Sequence, residues 1–171
     1  MDDYRIPERA GIGWVELRVA DLQRALDFYQ DVVGLRPTEL PGTPAGPSGQ
    51  PGVALAVDRD APPLVFLIAD PQAHRRPPHT TGLYHTAIRF PSRAALGQAL
   101  RRLLTQGYPL GGMADHGVSE ALYLRDPDQN GVELYWDRPH EQWPRSPDGR
   151  VTMFTRALDL NSLLAELSSL N

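Results

Sequence analysis

The chain has 171 residues, of which 41% are hydrophobic and 22% charged, and its formal net charge at pH 7 is −4. These values are typical of one globular domain, and the small negative net charge gives no electrostatic footprint for nucleic acid or anionic membranes. The absence of cysteine excludes disulfides, thiolate zinc sites and a thiol nucleophile. No apolar run approaches the roughly 20 residues that cross a bilayer, and the start, MDDYRIPERAG, is unlike a signal peptide. We therefore expect a soluble cytoplasmic protein without membrane or nucleic-acid partners.

The first half of the chain predicts a strand, then a helix, then three short strands. Residues 12–19 alternate between apolar and polar side chains, as in a strand with one buried face. Asp21 is suited to cap the helix that follows, and Gly34 to end it. The three short strands are predicted over residues 35–40, 53–57 and 64–69. Between the first two of them, Leu40 to Gly52 is rich in proline and glycine and is therefore predicted to be a loop.

The second half repeats this plan. Residues 82–90 alternate in the same phase as the first strand, Ser92 is suited to cap a second helix, and Gly107 to end it. Three strands are predicted over residues 109–113, 120–125 and 131–137. The turn before the last of them, Asp126 to Gly131 (DPDQNG), has a tight-hairpin sequence to which we assign no catalysis. The tail ends in a predicted amphipathic helix over residues 160–170.

The two halves align with each other, which indicates an internal repeat. The tetrapeptide Gly11-Ile12-Gly13-Trp14 matches Gly82-Leu83-Tyr84-His85, and the closing segment FLIAD matches ELYWD. Repeated supersecondary units usually pack around a common core, so we predict a single domain over residues 1–171. Its parts are a first module at about 11–70, a linker at 71–81, a second module at about 82–138 and a C-terminal tail at 139–171.

Two stretches of the sequence resemble a known superfamily. The first, GIGWVELRVADLQRALDFYQDVVG, resembles the opening of vicinal oxygen chelate proteins, which include glyoxalases, bleomycin resistance proteins and extradiol dioxygenases. The second, GLYHTAIRFPSRAALGQALRRLLTQGYPL continued by DHGVSEALYLRDPDQNGVELYWDRP, resembles the N-terminal half of catechol 2,3-dioxygenase-like enzymes. The resemblance implies an α+β fold in which two βαβββ modules form an eight-stranded cup with the helices outside.

The resemblance also implies where a divalent metal would bind. Active members of the superfamily hold the metal at four equivalent strand positions, which here carry Trp14, Phe66, His85 and Glu133. Only His85 and Glu133 have ligand side chains, whereas a first-row metal usually needs three, as in the 2-His-1-carboxylate triad. Glu16, one same-face step from Trp14, or His116, or a residue of a second chain, would have to complete the set. Iron, manganese, nickel or zinc is expected if the set is complete, and otherwise His85 and Glu133 simply hydrogen-bond to each other.

Two kinds of function follow from these residues, and the sequence leaves both open. The first is a metal-dependent enzyme of the extradiol dioxygenase or glyoxalase type, acting on a small molecule with vicinal oxygens, with His116 or Tyr135 donating or accepting a proton. The second is a metal-free binding protein of the bleomycin-resistance type, or a non-catalytic structural relative. The resembled two-domain enzymes carry their catalytic iron in the C-terminal half, which counts against ring cleavage by this stretch.

Three aromatic residues are predicted to line the substrate pocket. Trp14 and Phe66 would form an aromatic wall for a flat or apolar ligand, and their alternative role is packing in the core. Tyr123 would donate a hydrogen bond inside the cup, or be a core tyrosine. No phosphate loop, G-x-S-x-G elbow or H-E-x-x-H helix is present. The expected partner is a small molecule, and a homodimer through the outer strands or the tail is a further expectation.

Overall fold

The computed structural model describes residues 5–8, 10–39, 49–74, 77 and 80–170, and its two mixed sheets have the predicted α+β architecture. The first sheet consists of β1 (Val15–Val19), β2 (Arg36–Thr38), β3 (Gly52–Ala56) and β4 (Val65–Ala69), in the spatial order β1-β4-β3-β2. The second sheet consists of β5 (Thr86–Arg89), β6 (Gly112–Asp115), β7 (Ser119–Arg125), β8 (Gly131–Asp137) and β9 (Arg156–Ala157), in the order β5-β8-β7-β6-β9.

Three α-helices accompany the sheets in the described part of the chain, and the sequence explains where they begin and end. They are α1 (Leu22–Asp27), continued by a π-helical segment over Phe28–Val33, then α2 (Arg93–Thr105), and α3 (Leu160–Ala165), continued by a 3-10 segment over Glu166–Leu170. Asp21 accepts a hydrogen bond from the Arg24 N–H at 3.1 Å, and Ser92 accepts one from the Ala95 N–H at 3.1 Å. Gly34 ends the first helical stretch with a φ of 99°, which favours glycine. The predicted caps are therefore confirmed.

The internal repeat is visible in matching strand pairs. β1 pairs with β4 in parallel, and β5 pairs with β8 in parallel at the equivalent register. Each pair ends in an arginine–aspartate ion pair, Arg18 with Asp70 and Arg89 with Asp137, and the nitrogen–oxygen distance is 3.7 Å in both. The two halves are thus built on the same local plan, although their sequences differ.

One large core joins the two halves. It contains buried residues of all three helices and of strands from both sheets, among them Leu17, Tyr29, Leu67, Leu100, Leu134 and Leu163. The alternation predicted for β1 and β5 is confirmed, since Leu17, Val19, Thr86 and Ile88 are buried. A second, small cluster contains Ala54, Phe66 and Ile68 with Trp14 against them. Because successive strand residues point to opposite faces, this cluster lies on the face of the first sheet away from the large core.

The DPDQNG turn fastens the second half to the first. Asp128 accepts hydrogen bonds from the Ala20 N–H at 3.2 Å and from the Arg24 guanidinium at 3.0 Å. Asp126 accepts one from the hydroxyl of Tyr29 at 3.2 Å and three from groups within its own turn. Burial raises the pKa of Asp126 in spite of these four donors. The turn therefore carries contacts between the halves in addition to closing the hairpin.

Several element bounds differ from the sequence predictions. β5 begins at Thr86 and not at residue 82, and β6 covers 112–115 and not 109–113. The tail adds the unpredicted strand β9, which pairs with β6 at the edge of the second sheet. A 3-10 turn over His140–Gln142 begins the tail, and the helix predicted near its end is confirmed.

Residues 40–48 of the predicted loop, and 75–76 and 78–79 of the predicted linker, lie outside the described residues. No helix in the described ranges is long and apolar enough to span a membrane.

Candidate functional site

His85 and Glu133 meet on one face of the second sheet. Glu133 lies on β8 opposite Ala87 of β5, and His85 lies two residues before Ala87 on the same face. The distance between His85 Nε2 and Glu133 Oε2 is 2.7 Å, and the exposed fractions of the two side chains are 26% and 12%. The parallel pairing of β5 with β8 therefore brings together a partly buried imidazole and carboxylate, as the sequence suggested.

A glycine allows this approach. A Cβ atom at Gly131, the first residue of β8, would lie 2.3 Å from the Tyr84 carbonyl oxygen and 3.0 Å from Cβ of His85. Any side chain at this position would push the Tyr84–His85 backbone away from β8. The glycine of the DPDQNG turn thus sets the distance at which His85 reaches Glu133.

Tyr123 and His116 extend the pair into a longer series. Tyr123 lies on β7 directly opposite Glu133, and its hydroxyl donates to Glu133 Oε1 at 3.1 Å. His116 Nε2 lies 3.0 Å from the same hydroxyl. We call His85, Glu133, Tyr123 and His116 the His85 network. The network joins the first strand of the second half to the β6–β7 turn through hydrogen bonds between side chains.

The tail holds the outer end of the network. His116 Nδ1 lies 3.2 Å from Thr155 Oγ1 and 3.3 Å from the Phe154 carbonyl oxygen. The ring of Phe154 covers Gly117, where a Cβ would come within 2.7 Å of it. Since β9 pairs with β6 beside this point, the tail fixes the position of the His116 imidazole.

The network has a definite hydrogen-bond direction. Burial and the charge of Glu133 raise the pKa of Tyr123 to about 12, so its hydroxyl is a neutral donor near pH 7. Because that hydroxyl donates to Glu133, its oxygen accepts from the N–H at His116 Nε2. At His116 Nδ1 the Phe154 carbonyl oxygen can only accept a hydrogen bond, whereas the Thr155 hydroxyl can donate or accept one. The network therefore places a carboxylate between two donors, with the His85 imidazole nearest the open side.

The predicted pocket residues of the first half lie elsewhere. Phe66 is 1% exposed and Trp14 packs against its cluster, so the packing interpretation is confirmed for Phe66. A Cβ at Gly52 would lie 2.6 Å from the ring of Phe66, which shows how closely β3 and this ring fit. Trp14 also lines a surface groove of about 1160 Å³, together with Arg36 and Arg59. Neither aromatic residue contacts the His85 network among the described contacts.

Tyr135 and Tyr84 complete the placement of the candidate residues. Tyr135 lies on β8 on the same face as Glu133, and burial followed by the charge of Asp137 raises its pKa. No hydrogen bond from its hydroxyl to another described residue is present, so its predicted role in proton transfer stays a prediction. Tyr84 was not predicted as a site residue, yet its ring lies beside His85 with the centroids 4.8 Å apart. The signal in the sequence was its position directly before His85.

Comparison with known proteins identifies the family. The model of the Glyoxalase/Bleomycin resistance protein/Dioxygenase superfamily matches residues 11–134. The chain belongs to this superfamily. A solved glyoxalase/dioxygenase from Nostoc punctiforme has the same fold, with a TM-score of 0.64 and 19% identity over 81% of this chain and 99% of that one. The superfamily and fold predictions are therefore confirmed.

Curated relatives within the superfamily are dioxygenases by name. Catechol-2,3-dioxygenase of Bacillus subtilis (strain 168) is 40% identical over 161 residues, which are 94% of this chain and 53% of that protein. Biphenyl-2,3-diol 1,2-dioxygenase 3 of Rhodococcus globerulus is 37% identical over 89 residues, which are 44% of this chain and 47% of that protein. The chain spans about half the length of the curated relatives it matches.

The side chains present do not fit a metal that needs three protein ligands. In the described part of the chain, no group of three or more His, Cys, Asp or Glu residues is placed to hold a metal ion. Trp14 and Phe66 carry no ligand atom suited to such a metal. Each carboxylate oxygen of Glu133 is already in contact with a partner, Oε2 with the His85 imidazole and Oε1 with the Tyr123 hydroxyl. Glu16 lies on β1 opposite Phe66, and its buried Oε2 has no hydrogen-bond partner among the described residues. The predicted set of His85, Glu133 and Glu16 therefore gains no support from this arrangement.

Proposed function

We propose that the chain binds a small hydroxylated aromatic molecule with adjacent oxygen atoms at the His85 network, as the binding unit of a catechol-2,3-dioxygenase-type protein. The observation that carries this proposal is the hydrogen-bonded series from His85 through Glu133 and Tyr123 to His116. The name of the Bacillus subtilis relative, at 40% identity over 94% of this chain, supports a vicinal diol as the ligand.

The free acceptor atoms of the network suit two neighbouring hydroxyl groups. His85 uses Nε2 toward Glu133, which leaves Nδ1 of the neutral imidazole as an acceptor. Each oxygen of Glu133 receives one hydrogen bond from the network and retains a second lone pair. A diol can donate one hydroxyl to the imidazole and the other to the carboxylate. A ligand with a single hydroxyl satisfies only one of these groups.

The proposal assigns the binding of the ligand, and not the ring-opening metal, to this chain. Two ligand side chains at four equivalent positions leave a first-row metal short of the usual three protein ligands. The Tyr123 hydroxyl donates a hydrogen bond to one carboxylate oxygen of Glu133, and its raised pKa keeps that hydroxyl protonated. The role of these residues here is to orient a diol and hold its protons.

Calorimetric titration with catechol tests the proposal. We expect saturable binding to purified protein in the presence of EDTA, and weaker binding of phenol. The change His85→Ala should reduce catechol affinity about 2- to 10-fold, because one net hydrogen bond contributes about 0.5–1.5 kcal/mol. The change His140→Ala is the matched control, since His140 is exposed and its ring contacts Trp143, with no described contact to the network. Equal catechol affinity in His85→Ala and His140→Ala would refute the proposed site.

The same titration separates a metal-dependent enzyme from a metal-free binder. If catechol binds only after Fe²⁺ or Mn²⁺ is added, and EDTA abolishes binding, the result supports a metal-dependent dioxygenase over a metal-free binding protein. Formation of a ring-opened product from catechol, Fe²⁺ and O₂ then measures ring opening, against a mixture without protein in which catechol and Fe²⁺ also consume oxygen. Failure of catechol to bind under either condition would refute both functions.

A further inference from the structure

Tyr84 is an exposed aromatic residue at the edge of the His85 network. We propose that Tyr84 contacts the ring of the bound molecule and makes the site selective for planar aromatic diols over aliphatic ones. This inference rests on the proposed function and deepens it, since the network alone recognises hydroxyl groups and does not distinguish the carbon skeleton that carries them.

The position of the Tyr84 ring supports this role. Its centroid lies 4.8 Å from that of the His85 imidazole, and the two planes are inclined by 49°. The side chain is nevertheless 82% exposed, so most of the ring surface is open to solvent beside a partly buried polar group. Tyr84 is also close enough to Tyr123 to contribute to its raised pKa. A flat molecule bound at His85 therefore has an aromatic surface next to it.

The backbone holds Tyr84 in a fixed place. The Tyr84 carbonyl oxygen lies only 2.3 Å from the position that a Cβ at Gly131 would occupy. The start of β8 therefore packs directly against the backbone of Tyr84. Tyrosine has few rotatable bonds, and ordering such a residue against a ligand costs little conformational entropy. The backbone that carries the exposed ring is thus held against β8 before a ligand arrives.

The repeat gives an internal comparison. In the alignment of the halves, Gly13 occupies the position of Tyr84, and Trp14 that of His85. The first half, whose equivalent positions are packed with apolar side chains, has no ring at this position. The aromatic side chain therefore occurs beside the polar network and not at its packed counterpart.

Paired titrations of catechol and cis-1,2-cyclohexanediol test the inference. Both molecules offer adjacent hydroxyls, but only catechol has a flat π surface. The change Tyr84→Ala should weaken catechol binding about 2- to 10-fold, the range expected for one aromatic contact, and leave cyclohexanediol binding unchanged. The change Tyr84→Phe should retain catechol binding. The control Ile12→Ala removes another exposed apolar side chain, 91% exposed, from the equivalent stretch of the first half and should change neither affinity.

The outcomes distinguish the role of Tyr84 from the proposed binding of a diol at the His85 network. If the unchanged protein binds catechol and Tyr84→Ala binds it equally well, Tyr84 has no part in selection and only this inference is overturned. The same conclusion follows if Tyr84→Ala weakens both diols by the same factor. If the unchanged protein binds neither diol, the proposed function fails and the inference fails with it.

Discussion

Replacing Gly131 with alanine tests the link between the backbone and the His85–Glu133 pair. The new Cβ would lie 2.3 Å from the Tyr84 carbonyl oxygen and 3.2 Å from Cα of His85. Heavy atoms normally touch at about 3.5 Å, so the Tyr84–His85 segment has to move by about 1 Å. The same movement would lengthen the 2.7 Å contact between His85 Nε2 and Glu133 Oε2 beyond hydrogen-bond distance.

The expected cost follows from this overlap. Overpacking of this kind destabilises a fold by about 1–3 kcal/mol. In a domain of this size, each kcal/mol lowers the unfolding midpoint by about 2–4 °C, so Gly131→Ala should unfold about 2–12 °C below the unchanged protein. Thermal unfolding followed by circular dichroism measures this shift. NMR of the imidazole nitrogens reports whether His85 has lost its partner.

Gly111→Ala, directly before β6 of the same sheet, is the matched control. Its Cβ would lie 3.5 Å from the Tyr123 carbonyl oxygen, which is an ordinary contact. Since replacing glycine by alanine without strain stabilises a protein by about 0.4–1 kcal/mol, this variant should unfold at or slightly above the normal temperature. An unchanged midpoint together with unchanged His85 resonances in Gly131→Ala would refute the reasoning.

Two further predictions concern the contacts between the halves and the ionisation of the network. The change Asp128→Ala removes acceptors from the Ala20 N–H and the Arg24 guanidinium and should lower the free energy of unfolding by about 1–2 kcal/mol in urea titrations; an unchanged midpoint and slope would contradict this. Burial and then the charge of Glu133 raise the pKa of Tyr123 to about 12, so the change Glu133→Gln should lower that pKa while burial keeps it above its ordinary value. Absorbance near 295 nm, with Tyr123→Phe subtracted to isolate this residue, follows the titration, and a pKa that stays near 12 would contradict the assignment.

Much of the fold could be predicted because its determinants are local. Alternation over β1 and β5 identified the buried faces, and Asp21 and Ser92 identified the two helix starts. Each of these signals depends on neighbours a few residues apart. The strand β9 escaped prediction because its pairing with β6 depends on a distant part of the chain. The role of the DPDQNG turn in joining the halves escaped for the same reason.

The sequence predicted which residues form the candidate site, but not the hydrogen bonds that join all four of them. His85, Glu133, Tyr123 and His116 were each singled out, the first two as a pair and the others in separate roles. Their common hydrogen-bonded series depends on β7 lying opposite β8 and on the tail reaching His116, and neither is encoded in local spacing. Their functional roles stay predictions until the titrations are done.

The close fit of Phe66 over Gly52 limits which side chains the first half can carry at this position. Phe66 lies 1% exposed among Ala54, Ile68 and Trp14. Introducing a glutamate there would bury a charge with no partner, which costs several kcal/mol. Restoring a ligand at this position by a single change would therefore weaken the domain before any metal could compensate. A ligand side chain is therefore tolerated more easily at the partly exposed His85 and Glu133 positions of the second half.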